Sequence, residues 1–246
     1  MPPWTATWSE GLIALERWVL PGACLLCQAP VGSPLADPLV CAVCRLRWRR
    51  LPEPRCVRCG QPIDLDADCR ICRDWPDGFR GVQSAVWLEA SARRAVHLLK
   101  YEGWRRIAVS LAEAMLSLEP LADRPTLVPI PLSATRLRAR GYNQSAELAA
   151  ALLGRRGGRV SSCLVRTRHT RTQTTLTPEE RAANLAGAFA TTGAVPSRVV
   201  LVDDVFTTGA TLVEAAHALL EGGAVEVSAV TFGRAELPLA AVSRMV

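Results

Sequence analysis

Between residues 199 and 212 the chain reads Val199-Val200-Leu201-Val202-Asp203-Asp204-Val205-Phe206-Thr207-Thr208-Gly209-Ala210-Thr211-Leu212. The four apolar β-formers at its start read as a strand buried on both faces, which in a parallel sheet ends at the edge where ligands bind. Two carboxylates side by side at that edge, Asp203 and Asp204, repel each other unless a partner supplies positive charge or donates hydrogen bonds. A vicinal diol is such a partner, one hydroxyl to each carboxylate. The turn Thr207-Thr208-Gly209-Ala210-Thr211 then leads into a helix expected to begin near Ala210. Backbone N–H groups at a helix start, with threonine hydroxyls beside them, cradle a phosphate. Diol-binding acids one turn from a phosphate cradle describe a ribose 5-phosphate site. The loop is not of the Walker type, because no Gly-Lys-Ser/Thr ending is present.

A second constellation is made of sulfur. Eight of the nine cysteines form four pairs with two intervening residues: Cys24 and Cys27, Cys41 and Cys44, Cys56 and Cys59, Cys69 and Cys72. Two thiolates at that spacing face one tetrahedral ion across a tight turn, and two pairs complete a closed four-sulfur site. Eight ligands therefore predict two zinc ions, structural rather than catalytic because no coordination position stays open. Sequential and interleaved sharing of the pairs are both compatible with the spacing. Cys163 stands alone and reads as a small buried apolar side chain.

These residues need elements to position them. Trp4, Trp8, Leu12, Leu15 and Val19 recur at helical steps, predicting a short amphipathic helix ended by Pro21-Gly22. The cysteine segment lacks periodicity and is rich in Pro, Gly, Asp and Arg, so it depends on a staple. From Gly81 onward, short apolar runs alternate with helical stretches, the pattern of an α/β domain with a largely parallel sheet. Strands are expected at Val82–Leu88, Leu127–Ile130, Leu164–Val165, Val199–Val202 and Val225–Phe232, and helices at Ala92–Leu99, Ile107–Leu118, Gln144–Leu153 and Ala210–Leu220. The expected division is a cysteine-rich module at 1–80 followed by an α/β domain at 81–246. Arg166–Pro178, rich in Thr and Arg, has no periodicity and reads as a functional lid.

With 246 residues, 49% of them hydrophobic and 21% charged, the chain is neither disordered nor fibrous. Its net charge of +6 is almost all arginine, since Lys100 is the only lysine. Residues 81–180 hold 15 basic and 8 acidic side chains against 4 and 6 in residues 181–246, so an anion-attracting surface is expected in the middle of the chain. No apolar run approaches a membrane span and no signal peptide is evident, which points to a cytoplasmic protein with reduced thiols. His97 is expected on the apolar side of a helix and His217 within the last one, both structural, whereas His169 falls in the lid.

Residues 199–211 resemble the phosphoribosyl pyrophosphate (PRPP) motif of type I phosphoribosyltransferases. That resemblance implies that Asp203 and Asp204 hold the ribose hydroxyls and that Thr207, Thr208, Gly209, Ala210 and Thr211 hold the 5-phosphate. Together with the cysteine-rich start, four further segments resemble the ComF family, named for DNA-uptake competence. They are Lys100-Tyr101-Glu102-Gly103, Val128-Pro129-Ile130-Pro131, Arg140-Gly141-Tyr142-Asn143-Gln144 and the series Gln173, Leu176, Arg181, Asn184 and Phe189. The likeness runs through nearly the whole chain in order. It departs at Arg171-Thr172-Gln173-Thr174-Thr175-Leu176, where family members often carry Pro or Gly around the glutamine.

The family likeness implies a type I phosphoribosyltransferase-like parallel sheet preceded by a double zinc ribbon. It places Ile130 and Pro131 against pyrophosphate, with Arg136, Arg138 and Arg140 supplying cations nearby. Arg166, Arg168, Arg171 and Gln173 fall in the hood over the site. It implies PRPP as ligand, with magnesium bridging the pyrophosphate oxygens, and transfer of the phosphoribosyl group to a nitrogen nucleophile. The alternative is a non-catalytic factor that binds single-stranded DNA or the DNA-uptake machinery.

Overall fold

A computed structural model describes residues 22–31, 39–62, 69, 71–167 and 187–236. The amphipathic helix expected at residues 4–19 lies outside the described residues, as do Arg168, His169, Arg171, Gln173 and most of the expected lid.

The cysteine-rich part contributes a two-residue hairpin, β1 (Gly22–Ala23) with β2 (Pro30–Val31), and one short helix, α1 (Ala42–Leu46). Beyond it come β3 (Phe79–Trp87), α2 (Ala90–Tyr101), α3 (Ile107–Met115), β4 (Thr126–Pro129), α4 (Ala134–Arg140) and α5 (Gln144–Arg156). Then follow β5 (Arg159–Val160), β6 (Leu164–Arg166), β7 (Phe189–Thr191), β8 (Arg198–Phe206), α6 (Ala210–Glu221) and β9 (Glu226–Arg234). Five strands form one parallel sheet in the order β3-β9-β8-β4-β5, which sets β8, the carrier of the carboxylates, at the centre. β6 and β7 make a separate antiparallel pair.

Every expected strand and helix of the α/β part has a counterpart within a few residues. α4, the short edge strand β5 and β7 were not expected. Three arginines in seven residues hide α4 from hydrophobic periodicity, because it buries no residue at all. Its limits are nevertheless local: Ser133 caps its start by accepting from the Arg136 N–H, and Gly141 ends it at φ +80°.

The sheet separates two apolar cores, and each half of the cysteine-rich part extends one of them. On one face, α2, α3 and α5 pack with Val86, Val202, Val230 and Phe232, and this cluster continues into Cys24, Val40, Cys44 and Trp48. On the other face, α6 packs with Val82, Val199, Leu201 and Val227, and this cluster continues into Cys56, Cys59, Cys72 and Trp75. Cys163 is buried in the second cluster, as an apolar filler should be. His97 and His217, by contrast, are exposed; His97 meets Glu102 on the solvent side of α2, because its neighbours Val96 and Leu98 take the inward positions.

Trp48 is the main bridge on the first face, its ring edge-on to Phe232 at a centroid distance of 4.9 Å. Trp48→Ala would empty a site that is only 5% exposed. A loss of about 3–5 kcal/mol of folding stability is expected in denaturant titrations at constant zinc, the cost usual for deleting a buried tryptophan ring.

Candidate functional site

β8 delivers Asp203 and Asp204 at the C-terminal edge of the sheet, level with the N-terminus of α5. Ser145 Oγ donates to Asp203 Oδ1 at 2.8 Å, and Gln144 Nε2 approaches Asp204 Oδ1 at 3.5 Å. A helix N-terminus carries partial positive charge, so α5 favours both carboxylates. Asp204 is only 2% exposed, and Lys100 Nζ lies 2.5 Å from its Oδ2. The one lysine of the chain thus reaches from the end of α2 to neutralise the more buried acid.

Burial, followed by the charge of Asp204, raises the Asp203 carboxyl to about 7, against the pull of Lys100 and Ser145. Burial also acts to lower the Lys100 ammonium, but the charges of Asp204 and Asp203 outweigh it, and its pKa lies above the ordinary lysine value. The pair of acids is therefore a strained constellation that a diol or a cation would relieve.

The hydroxyl-rich turn follows directly. Gly209 adopts φ +85° and opens α6, with the Val213 N–H donating to its carbonyl at 2.9 Å. Glycine is required there twice over: for the left-handed conformation, and because a Cβ would lie 2.9 Å from the Phe206 ring and 3.1 Å from the Trp75 ring. Thr207 is exposed, while Thr208, Ala210 and Thr211 are half-buried.

The proline-flanked segment after β4 lies beside this edge. The Ile130 N–H donates to the Val202 carbonyl at 3.0 Å, and the Ile130 carbonyl accepts from Asn143 Nδ2 at 2.9 Å. Asn143 also caps α5 by accepting from the Ser145 N–H at 3.0 Å. One asparagine therefore ties the Ile130-Pro131 loop to the helix that faces the acids.

Next to the acids opens a cavity of about 590 Å³, lined by Lys100, Tyr101, Arg136, Arg140, Tyr142 and Gln144, with no carboxylate on its wall. Arg136 and Arg140 share a face because four residues separate them on α4. Arg138, halfway between, falls outside that wall and is exposed. The arginines expected at alternating positions are thus split by the helix that carries them. Arg166 comes to the site from β6: burial first, then the charge of Arg136, lowers its pKa, while Asp203 opposes the shift.

Lys100, Gln144 and Ser145 were not singled out as site residues from the sequence. Lys100 did carry a signal, being the one lysine among 29 basic side chains. Ser145 carried none, because its role comes from the register of α5 against β8.

The cysteines resolve into sequential sites. Cys24, Cys27, Cys41 and Cys44 gather in one group and Cys56, Cys59, Cys69 and Cys72 in another, with all sulfurs of a group within 4.8 Å of one another. Sulfurs stand 3.7 Å apart for Cys27 and Cys41, 3.5 Å for Cys56 and Cys72 and 3.4 Å for Cys59 and Cys69. Zinc–sulfur bonds of about 2.3 Å at tetrahedral angles separate sulfurs by about 3.8 Å, so both groups fit a zinc ion. Burial and then the neighbouring sulfurs push the Cys44 and Cys72 thiols upward. Burial acts the same way on Cys24, yet N–H groups of Cys41, Leu26 and Cys27 bring it down to about 6. Four sulfurs so close can all ionise only around a cation, which is what a structural zinc supplies.

A double zinc ribbon domain matches residues 15–74. Over 220 residues the chain is 34% identical to the DNA utilization protein YhgH of Escherichia coli K12, covering 85% of this chain and 95% of that one. The chain belongs to the ComF/YhgH family. Two other members are the competence proteins ComFC of Bacillus subtilis strain 168, 29% identical over 230 residues, and of Streptococcus pneumoniae R6, 27% identical over 221 residues. These alignments cover 86% and 83% of this chain and 94% and 96% of the relatives. Family membership thus extends through both the ribbon and the α/β sheet. Among the described residues no helix is long and apolar enough to cross a membrane.

The raised Asp203 carboxyl has a consequence for stability. An unfolded Asp ionises near pH 3.9, so the folded state holds this proton longer and loses stability as pH rises from about 4 through about 7. Asp203→Asn has no proton to lose. Its melting temperature should exceed that of the unaltered protein at about pH 8, and the gap should close by about pH 4.

Proposed function

We propose that this ComF/YhgH-family protein binds PRPP across the Asp203–Asp204 edge and transfers its phosphoribosyl group to a nitrogen nucleophile. The observation that carries the reading is the sequence of groups along one sheet edge. Two adjacent acids end the central strand, a left-handed Gly209 follows, and a helix start lies immediately after it. The ribose hydroxyls donate to Asp203 and Asp204, and the 5-phosphate takes the N–H groups of the turn at 207–211. The pyrophosphate lies toward Ile130, Pro131 and the cationic cavity wall of Arg136 and Arg140. Asp203 and Asp204 are the carboxylates at this edge that would share a magnesium ion with the substrate phosphates, where it would offset charge on the pyrophosphate.

The nitrogen lone pair forms a bond to C1 of the ribose while the C1–O bond to pyrophosphate breaks. The leaving oxygen takes the electron pair, and the nitrogen sheds its proton. This chain contributes by holding the diol and the phosphates in line. Arg136 and Arg140 offset charge on the departing pyrophosphate. Lys100 sets an ammonium against Asp204, the acid that accepts a ribose hydroxyl.

A second reading rests on what the relatives are called, a DNA utilization protein and competence proteins, and on one surface. Tyr101 is 68% exposed and Trp104 is 42% exposed, and Arg140 lies over the Tyr101 ring at 5.4 Å. Exposed rings interleaved with arginines suit single-stranded DNA, with bases stacking and guanidinium groups meeting phosphates.

Calorimetric titration of the zinc-loaded protein with PRPP and magnesium tests the first reading, with pyrophosphate release followed against a panel of nitrogen acceptors. Binding with release is expected. Asp203→Asn with Asp204→Asn together should weaken PRPP binding at least about a hundredfold, from the loss of two hydrogen bonds to charged acceptors. Unchanged affinity in the double variant would rule out this placement of the ribose.

For the second reading, single-stranded oligonucleotide affinity should fall steeply with salt, about 0.7 decades per decade of salt for each phosphate neutralised. Tyr101→Ala should cost about 1–3 kcal/mol of that binding, the usual value of one stacked base. Salt-insensitive binding would discard it.

A further inference from the structure

The second cysteine group lies against the phosphate turn, and two side chains join them. Its first knuckle is fastened to β3: the Val82 N–H donates to the Arg58 carbonyl at 2.7 Å. Gly81 passes so close that an added Cβ would lie 2.2 Å from that oxygen. The Arg58 guanidinium then donates to the carbonyl oxygens of Cys72 at 2.9 Å, Trp75 at 3.0 Å, Pro76 at 2.7 Å and Phe79 at 3.1 Å. These bonds fix the segment that follows the last cysteine. That segment carries Trp75, whose ring stacks on Phe79 at 5.1 Å and meets Phe206 edge-on at 6.2 Å. Together with Phe206, Trp75 forms the floor against which Gly209 packs.

Arg234 makes the second link. It is fully buried at the end of β9, in register with Phe206. Its guanidinium carbon stands 4.5 Å from the Phe206 ring centroid. Nη1 donates to the Cys59 carbonyl, and Nη2 donates to Gln61 Oε1 at 2.8 Å. A buried guanidinium is costly without an opposing charge. Four thiolates around one Zn²⁺ carry two net negative charges, so the loaded second site supplies that opposition. Arg234 thus lies between the metal site and the ring under the turn, and nothing in the ribose or pyrophosphate contacts accounts for it.

We propose that Trp75 and Arg234 are positioning residues that couple the second zinc site to the phosphate turn, so that order at the metal site sets affinity for a 5-phosphate group. The proposal rests on the phosphoribosyl reading of that turn. The first cysteine group packs on the opposite face of the sheet, and among the described residues it has no such link. Because equilibrium coupling is reciprocal, a ligand on the turn should also tighten zinc at the second site and leave the first unchanged.

The full-length, zinc-loaded protein is titrated with ribose 5-phosphate by calorimetry, as unaltered protein and as Trp75→Leu, Trp75→Phe and Arg234→Met. Trp75→Leu and Arg234→Met are expected to weaken binding about tenfold or more, and Trp75→Phe to restore most of it. Unaltered affinity in Trp75→Leu, or no recovery in Trp75→Phe, overturns the proposal. A second measurement needs no variant: zinc is titrated away with a competing chelator, with and without saturating ribose 5-phosphate. Affinity for one of the two zinc ions should rise about tenfold; no change, or an equal rise for both, overturns the coupling. If the unaltered protein fails to bind ribose 5-phosphate, the phosphoribosyl reading itself falls, an outcome distinct from binding without coupling.

Discussion

Two carboxylates on consecutive residues at the rim of an apolar sheet impose the main electrostatic constraint on this fold. Like charges that close, with one of them almost fully enclosed, would ordinarily take up a proton or force the strand end apart. Here the surrounding elements hold them. Lys100 from α2 pairs with Asp204, and the start of α5 presents its dipole together with Gln144 and Ser145. The placement of three elements follows from this. α2 has to end where its last turn reaches β8, α5 has to begin at the sheet edge, and Asn143 has to join that beginning to the loop after β4. The compensation is incomplete, since Asp203 stays raised to about 7.

The cysteine-rich part looks by composition like an appendage, and its packing says otherwise. A small segment without periodicity cannot enclose a core of its own, so its apolar side chains must find one elsewhere. They find it on both faces of the sheet: Trp48 against Phe232 on one, Trp75 against Phe79 and Phe206 on the other. Each four-sulfur group holds its loop in shape, and the loop offers one large aromatic ring to the sheet. Division of labour between metal and aromatic anchor explains why two groups are present, as the sheet has two faces to cover.

Much of this was legible in the residue order, because the signals were local. The apolar run of β8, the paired acids and the glycine turn lie within fourteen residues, and the cysteine pairs have a spacing dictated by zinc geometry. What was hidden depended on contacts between distant segments. Ser145 looks like any helix-start serine until α5 is set beside β8, and Arg234 looks like an ordinary strand-end arginine until Cys59, far earlier in the chain, arrives beside it. Arg136, Arg138 and Arg140 follow one another at alternate positions, and the helix that carries them turns the middle residue away from the other two. His97 misled because a helix with several apolar neighbours on both sides of a residue can still point that residue at solvent.

The asymmetry between the two faces bears on how the site would work under the proposed reading. On the first face lie the groups that hold Asp204 and line the cationic cavity: Lys100, Gln144, Arg136 and Arg140. On the second face lie the groups that shape the turn: Phe206, Trp75 and Arg234. A ligand spanning ribose hydroxyls and a 5-phosphate would therefore bridge the two cores across the end of β8. Binding energy spent on one face cannot be recovered by repacking the other, because a strand buried on both sides transmits displacement rather than absorbing it. A site built in that way discriminates by the distance between diol and phosphate, since a ligand that satisfies one face but falls short of the other leaves buried polar groups unpaired.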